Sequence, residues 1–309
     1  MLVSSPWTFT QFPSLPAPLL PNIAFYNATS TTLNKTYQIS ISYPFEWGHP
    51  SSTTLITKKT ALTMYVLDGN ALGLTAHEAF FRRKPVDSSQ PDSIVVSIGY
   101  PLSDSVYDLA RRASDFRPPL PTPQTPPSGA DAFLEFIDGV LRPWVRRDLF
   151  PEVQFNRDAL YGHSFGGLFV VYALTKDPGL FDTYLSGSPA LDWANASILG
   201  EATKRFGNGI NIQGEVIFEA NATRPAVFVG YEGLGQFPIR RRTETETDFQ
   251  ARKNFIQQFR MTEYCHELFD RLKGGGQLRD IVLKEYAGQD HAGVGGSALT
   301  DGIDYFVDW

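Results

Sequence analysis

Ala159-Leu160-Tyr161-Gly162-His163-Ser164-Phe165-Gly166-Gly167-Leu168 sets one small polar serine between glycines at the end of a short apolar run. The pattern Gly-x-Ser-x-Gly within it is short enough to arise by chance, and its neighbours give it weight. A strand-like triplet, Ala159 to Tyr161, precedes it, and a helix-forming run, Leu168 to Lys176, follows. A residue on so sharp a strand-to-helix turn sits in strained backbone, where flanking side chains would collide, so the glycines are a steric requirement. Such a turn lifts the Ser164 hydroxyl to the carboxyl edge of a sheet. The helix N-terminus and the Phe165 N–H then face any negative charge that develops there.

Outward from this turn, β-rich runs alternate with helical patterns, which predicts an α/β fold with a mostly parallel sheet and helices on both faces. The predicted strands are Thr36–Tyr43, Leu62–Leu67, Ile94–Ile98, Ala159–Tyr161, Thr183–Leu185, Ala226–Val229 and Asp280–Tyr286. Thr36–Tyr43 alternates in polarity, as expected of an antiparallel edge strand in a hairpin. The nearly unbroken apolar run Ile94-Val95-Val96-Ser97-Ile98 suits a strand covered on both faces. Helical spacing of Phe133, Leu134, Ile137, Val140, Leu141, Trp144 and Val145 predicts a helix over Asp131–Leu149, kinked at Pro143. A second helix is predicted over Thr247–Lys273, with a capping box at Thr247 and Gln250 and a stop at Gly274-Gly275-Gly276. Arg117–Gly129 is dense in proline and should run over the surface. Gly233–Glu246, which holds Arg240-Arg241-Arg242, reads as a second long loop, its arginines neutralised by Glu244 and Glu246. No composition shift separates the halves, so a single domain over residues 1–309 is expected.

A serine hydroxyl needs a base within about 2.6–3.2 Å to become a nucleophile. The chain has five histidines. His49 falls in a surface turn, His77 in a helical stretch, His163 inside the serine turn and His266 within the long helix. His291 differs, because it follows the last strand in Ala287-Gly288-Gln289-Asp290-His291-Ala292-Gly293, just before the terminal helix. α/β-Hydrolases, whose catalytic groups run serine, acid, histidine along the chain, carry the base there. The acid should close the strand before the long helix, and Val227-Phe228-Val229-Gly230-Tyr231-Glu232 ends in one. Asp290, Asp182 and Asp192 are the rival acids. A second oxyanion donor is expected after the third strand, at Asp68-Gly69-Asn70, where Gly69 lets the backbone approach a substrate.

A net charge of −6 argues against a polyanion-binding surface, so no nucleic-acid partner is expected. The single cysteine, Cys265, rules out an internal disulfide and a cysteine metal cage, as suits a reducing compartment. Met1–Asn22 has no basic start leading into an apolar core and is broken by Pro6, Pro13, Pro16, Pro18 and Pro21, so no signal peptide is expected. No charge-free apolar stretch reaches the about 20 residues that span a bilayer. These features predict a soluble cytoplasmic protein with no membrane partner. The glycosylation triplets at Asn27, Asn34, Asn195 and Asn221 are then incidental.

Several further stretches carry a resemblance: Tyr65-Val66-Leu67-Asp68-Gly69-Asn70, Val95-Val96-Ser97-Ile98-Gly99-Tyr100-Pro101, Arg111-Arg112 with Asp115-Phe116, Gly129-Ala130-Asp131-Ala132-Phe133-Leu134, Ser186-Gly187-Ser188-Pro189 and Gly288-Gln289-Asp290-His291. With the serine turn they resemble the siderophore esterases among the esterase D-like α/β-hydrolases, of the enterobactin and fungal triacetylfusarinine C type. The likeness runs from about residue 36 to the C-terminus. Phe116-Arg117-Pro118 stands where members often carry Tyr-Thr-Pro, a departure that touches substrate contacts more than fold. The resemblance implies a serine esterase that cleaves the ester bonds of a ferric siderophore inside the cell, with Ser164, His291 and Glu232 as the triad. It implies no resident metal or cofactor, since iron arrives with the substrate. It places Arg111 and Arg112 at the mouth, where planar guanidinium forks would meet catecholate or hydroxamate oxygens. Their other reading is a solvated helix end or a salt bridge to Asp108 or Asp115. Two further readings stay open: a thioesterase like S-formylglutathione hydrolase or a feruloyl or acetyl esterase, and a catalytically silent hydrolase fold that binds a ligand.

Overall fold

The computed structural model describes residues 6–11, 22–47, 59–102, 104–123, 125, 127–207, 224–273 and 276–308. His49 and the Asn221 triplet lie outside them. The chain divides into two compact units, Met1–Leu160 with Phe306–Trp309, and Tyr161–Tyr305.

The first unit holds β1 (Trp7–Gln11), β2 (Ile23–Ser30), β3 (Lys35–Ser42), β4 (Lys59–Leu67), α1 (Gly69–Phe81), α2 (Arg83–Val86), β5 (Asp92–Gly99), α3 (Leu109–Phe116) and α4 (Ala130–Glu135). Strands β1, β2, β3 and β5 pair antiparallel in that order, and β4 joins β5 in parallel. The expected hairpin strand is β3, paired to β2, but it is interior and not an edge. Tyr37, Ile39 and Ile41, the apolar members of its alternation, are fully buried. On the other face the Asn70 side-chain amide donates to Gln38 Oε1 over 2.8 Å. The helix expected over Asp131–Leu149 is a composite: α4 gives way to wide π-helical turns at Phe136–Leu141 and Trp144–Leu149, on either side of Pro143. Proline supplies no N–H to an i−4 carbonyl, which suits the widened turns around it.

Strand β6 (Val153–His163) runs through the division between the units. The second unit continues with α5 (Phe165–Lys176), β7 (Thr183–Gly187), α6 (Trp193–Phe206), β8 (Ala226–Glu232), α7 (Gly233–Gln236), α8 (Glu246–Gln257), α9 (Met261–Lys273), β9 (Asp280–Tyr286) and α10 (His291–Val307). Strands β7, β8 and β9 are parallel, with Gly187 opposite Gly230 and Glu232 opposite Tyr286. Every residue of β7 and β8 is buried, as a strand covered on both faces requires. The carboxyl ends of these strands lie side by side: Glu232 closes β8, and the segments leaving β7 and β9 carry Ser188 and His291. Open α/β sheets build their sites along that edge.

The helix expected over Thr247–Lys273 is two helices. α8 is capped by Thr245, whose hydroxyl accepts from the Asp248 N–H over 3.1 Å, and not by Thr247. The chain breaks at Gln258–Arg260, where Arg260 takes φ +47°, and restarts as α9. No helix among the described residues is long and apolar enough to cross a membrane.

Candidate active site

Ser164 closes β6 and opens α5 with φ +59° and ψ −119°. That combination is one L-residues avoid, and such strain persists only where neighbours over-determine the backbone. The neighbours are specific. The Ser164 N–H donates to the Gly187 carbonyl over 2.9 Å, and the Ser164 carbonyl accepts from Leu168 and Ala190. A Cβ at Gly162 would stand 2.2 Å from the Gly166 oxygen, and one at Gly167 would stand 2.9 Å from the Gly187 oxygen. Gly162 of the motif and Gly167 directly after it are therefore demanded by chain folding back on chain. The twelve residues of α5 run from Phe165, so the helix directs its N-terminus toward Ser164.

Glu232, the last residue of β8, is 1% exposed. Its Oε1 lies 2.9 Å from His291 Nδ1, the first residue of α10. Gly235 makes room for that carboxylate, because a Cβ there would fall 2.4 Å from Oε1. The His291 side chain is 47% exposed, so only one side of the imidazole is committed to the interior. Its ring centroid stands 4.7 Å from that of His163, the residue preceding Ser164. The approach of α10 depends on Gly295, where a Cβ would press on the His163 ring at 3.2 Å. The Tyr161 hydroxyl donates to the Gly295 carbonyl and ties the same turn to β6.

The structure thus brings Glu232 and His291 together beside the serine turn. It does not make a serine–imidazole hydrogen bond: the Ser164 hydroxyl forms none among the described residues. Such bonds often tighten only once substrate is bound.

The rival acids do other work. Asp290 caps α10, its Oδ1 accepting from the Gly293 N–H over 3.0 Å. Asp192 precedes α6; burial pushes its carboxyl up, and the nearby His291 pulls it down. Asp182 offers its carbonyl to the Ala226 N–H between β7 and β8. The other described histidines are accounted for within their own packing. His77 is buried and stacked on Phe81, and burial pushes it down. His266 shares a hydrogen bond of 3.0 Å with the Tyr231 hydroxyl.

Residues 30–263 match the model of the family described as "Putative esterase". The chain belongs to this esterase family. The esterase is 39% identical over 279 residues to a siderophore enterobactin esterase of Emericella nidulans, covering 86% of this chain and 88% of that one. It is 34% identical over 295 residues to a siderophore triacetylfusarinine C esterase of Aspergillus fumigatus, covering 95% and 96%. Among solved structures it is similar to the siderophore hydrolase EstA of Aspergillus nidulans, with a TM-score of 0.85 at 35% identity over 97% of this chain and 99% of that one. The fold is that of the α/β-hydrolases, and the enzyme is a serine hydrolase of carboxylic esters.

In the first unit of the esterase, one expectation changes. Gly69 opens α1 behind Asp68, which itself takes φ +52°. A Cβ on Gly69 would stand 2.8 Å from the Ser97 Cβ, so the glycine is required by packing of α1 on β5. Arg112 is that correction: expected at a substrate-facing mouth, it is 5% exposed and forks onto Asp68, Nε to Oδ1 over 2.9 Å and Nη2 to Oδ2 over 2.7 Å. A guanidinium so far from water is stable only with a carboxylate to fill its donors, and Asp68 is that carboxylate. Burial pushes the Asp68 carboxyl up while Arg112 pulls it down. Arg111 stays at the surface, 43% exposed at its side chain, bound to Asp108 over 2.7 Å and stacked over the Tyr100 ring.

Ser188 is the site neighbour to which the sequence assigned no role. It hydrogen-bonds Glu232 Oε2 and lies 3.1 Å from His291 Nδ1. Its signal was present in Ser186-Gly187-Ser188-Pro189, a polar, turn-forming run directly after a buried strand. Among the described residues no cluster of three or more His, Cys, Asp or Glu could hold a metal ion.

Proposed function

We propose that this esterase hydrolyses the ester bonds of a siderophore, taken in its ferric form, inside the cell. Ser164 is the nucleophile, His291 the general base, Glu232 the acid that orients it, and the Phe165 N–H an oxyanion donor. The observation that carries the reading is the 2.9 Å contact between His291 Nδ1 and the buried Glu232 carboxylate, with the imidazole against His163 and so beside Ser164. The names of the fungal relatives support the substrate class.

With Nδ1–H donated to Glu232, the lone pair of Nε2 is the free base of the imidazole. It accepts the Ser164 proton as Oγ bonds the ester carbonyl carbon, and the tetrahedral oxyanion forms against the N-terminus of α5. Collapse breaks the bond to the leaving alkoxide, which takes the proton from His291 and departs as an alcohol. Water then gives a proton to the same nitrogen while its oxygen attacks the acyl-serine, and Ser164 recovers its proton as the acid is released. Each cycle consumes one water and opens one ester. Glu232 remains a carboxylate throughout and stabilises the imidazolium by hydrogen bond and charge.

The test is mass spectrometry of products from a ferric and an iron-free trilactone catecholate, a triester hydroxamate, a thioester and an aryl ester. Ring opening or fragmentation of a siderophore, absent with Ser164→Ala, is the expected result. Turnover confined to the thioester or the aryl ester would replace the siderophore reading. Failure on every ester would remove the catalytic one.

A further inference from the structure

We propose that Ser188 is a positioning residue for the acid–base pair, its hydroxyl locking the Glu232 carboxylate in the rotamer that presents Oε1 to His291; the inference rests on the catalytic reading of Glu232 and His291. Three contacts carry it. The Ser188 hydroxyl donates to Glu232 Oε2, its oxygen lies 3.1 Å from His291 Nδ1, and Nδ1 lies 2.9 Å from Glu232 Oε1. The three side chains close a ring of polar contacts around one carboxylate, with Ser188 fully buried and Glu232 1% exposed.

Hydrogen accounting in that ring has one solution for an ionised Glu232. If Ser188 donated to Nδ1 instead, Nδ1 would carry no proton, and it would face Oε1 as acceptor against acceptor at 2.9 Å. With Nδ1–H directed to Oε1 and the Ser188 proton directed to Oε2, every donor has an acceptor. The basic lone pair is then left on Nε2. Ser188 thereby fixes both the carboxylate rotamer and the imidazole tautomer.

The backbone supports a specific rather than incidental placement. Ser188 follows β7 with φ +43°, and its N–H donates to the Gly230 carbonyl over 2.6 Å, one strand across and two residues before Glu232. Glycine would accept that dihedral with less strain. A serine there carries the strain and supplies, in return, the one donor among the described residues that reaches Oε2.

The experiment compares Ser188→Ala, Ser188→Gly, Glu232→Gln and the double variant Ser188→Ala/Glu232→Gln. It measures the rate of Ser164 labelling by a fluorophosphonate, kcat and KM on p-nitrophenyl acetate, and the thermal midpoint. Loss of a hydrogen bond to a buried charge should lower labelling rate and kcat by about 10- to 100-fold in both Ser188 variants, with KM within about threefold. Ser188→Gly, relieved at φ +43°, should be at least as stable as Ser188→Ala while equally slow, which a purely structural serine would not give. In the Glu232→Gln background, Ser188→Ala should change the rate less than about threefold, because the two act as one unit. Wild-type rates in both Ser188 variants, or full multiplication of the two losses, would overturn the inference while a slow Glu232→Gln left the triad reading standing. A Glu232→Gln enzyme at full rate would overturn both.

Discussion

Arg112 gives the sharpest stability test, because two readings of it demand opposite outcomes. The perturbation is Arg112→Ala. The guanidinium is 6% and the Asp68 carboxylate 1% exposed, joined by two hydrogen bonds of 2.9 and 2.7 Å. Removing the arginine leaves a carboxylate buried without its counter-charge, a change that costs about 3–5 kcal/mol. The arginine also stands 5.3 Å from the Tyr107 ring centroid and 5.5 Å from that of Phe116, so packing is lost with the charge. The paired variant Asp68→Asn/Arg112→Met removes both charges and should recover most of the loss, since it leaves no unpaired buried charge and keeps at position 68 a residue that accepts φ +52°. Urea unfolding followed by fluorescence reads the effect as a lower midpoint at unchanged m-value. A loss under about 1 kcal/mol, or a raised KM for a siderophore with the midpoint unmoved, would refute the buried-pair account and return Arg112 to the substrate.

Gly235→Ala should act on chemistry through one atom: its Cβ would overlap Glu232 Oε1, 2.4 Å away, and push the carboxylate off His291. Displacement of about 1 Å at such a contact can cost about 100-fold, so kcat on p-nitrophenyl acetate should fall while circular dichroism stays unchanged; a wild-type kcat would show the carboxylate elsewhere. The Arg252 guanidinium, donating to both Glu244 oxygens over 2.7 Å, holds that carboxyl down at about 2, below its ordinary 4.5. A lowered folded value stabilises the protein above the ordinary value and loses that contribution as pH falls through the folded one. The thermal midpoint of Glu244→Gln should therefore lie below wild type at pH 7, and the gap should narrow as pH drops from 4.5 toward 2. A gap independent of pH would contradict the assignment.

The parts of the fold written in continuous apolar runs were legible from sequence. β9 coincides with its predicted span, and β4, β5, β7 and β8 extend theirs by a few residues. β1 and β2 went unread. In β2 the residues that turn inward include Ala24, Ala28 and Ser30, too small and too polar to make a hydrophobic period. The early half of β6 failed for a related reason: Asp158 is buried there, held by Arg142 and Arg146 rather than by apolar contact. The break between α8 and α9 has neither glycine nor proline, and depends on Arg260 in a left-handed conformation that the local sequence does not announce. Chain order was enough to single out Glu232 and His291, because parallel strands deliver their following residues to one edge. Arg112 could not be read this way, since its partner Asp68 lies 44 residues away. A guanidinium at the surface and one in a buried pair look alike in a sequence.

The most direct measurement is peptide mapping of the intact enzyme after reaction with a fluorophosphonate, with labelling rates for wild type and His291→Ala. If the Ser164 hydroxyl is activated by the imidazole, the adduct sits on the Ser164 peptide alone, and His291→Ala slows its formation by at least about 100-fold. An adduct elsewhere, or labelling of Ser164 at the same rate without the imidazole, would contradict the account.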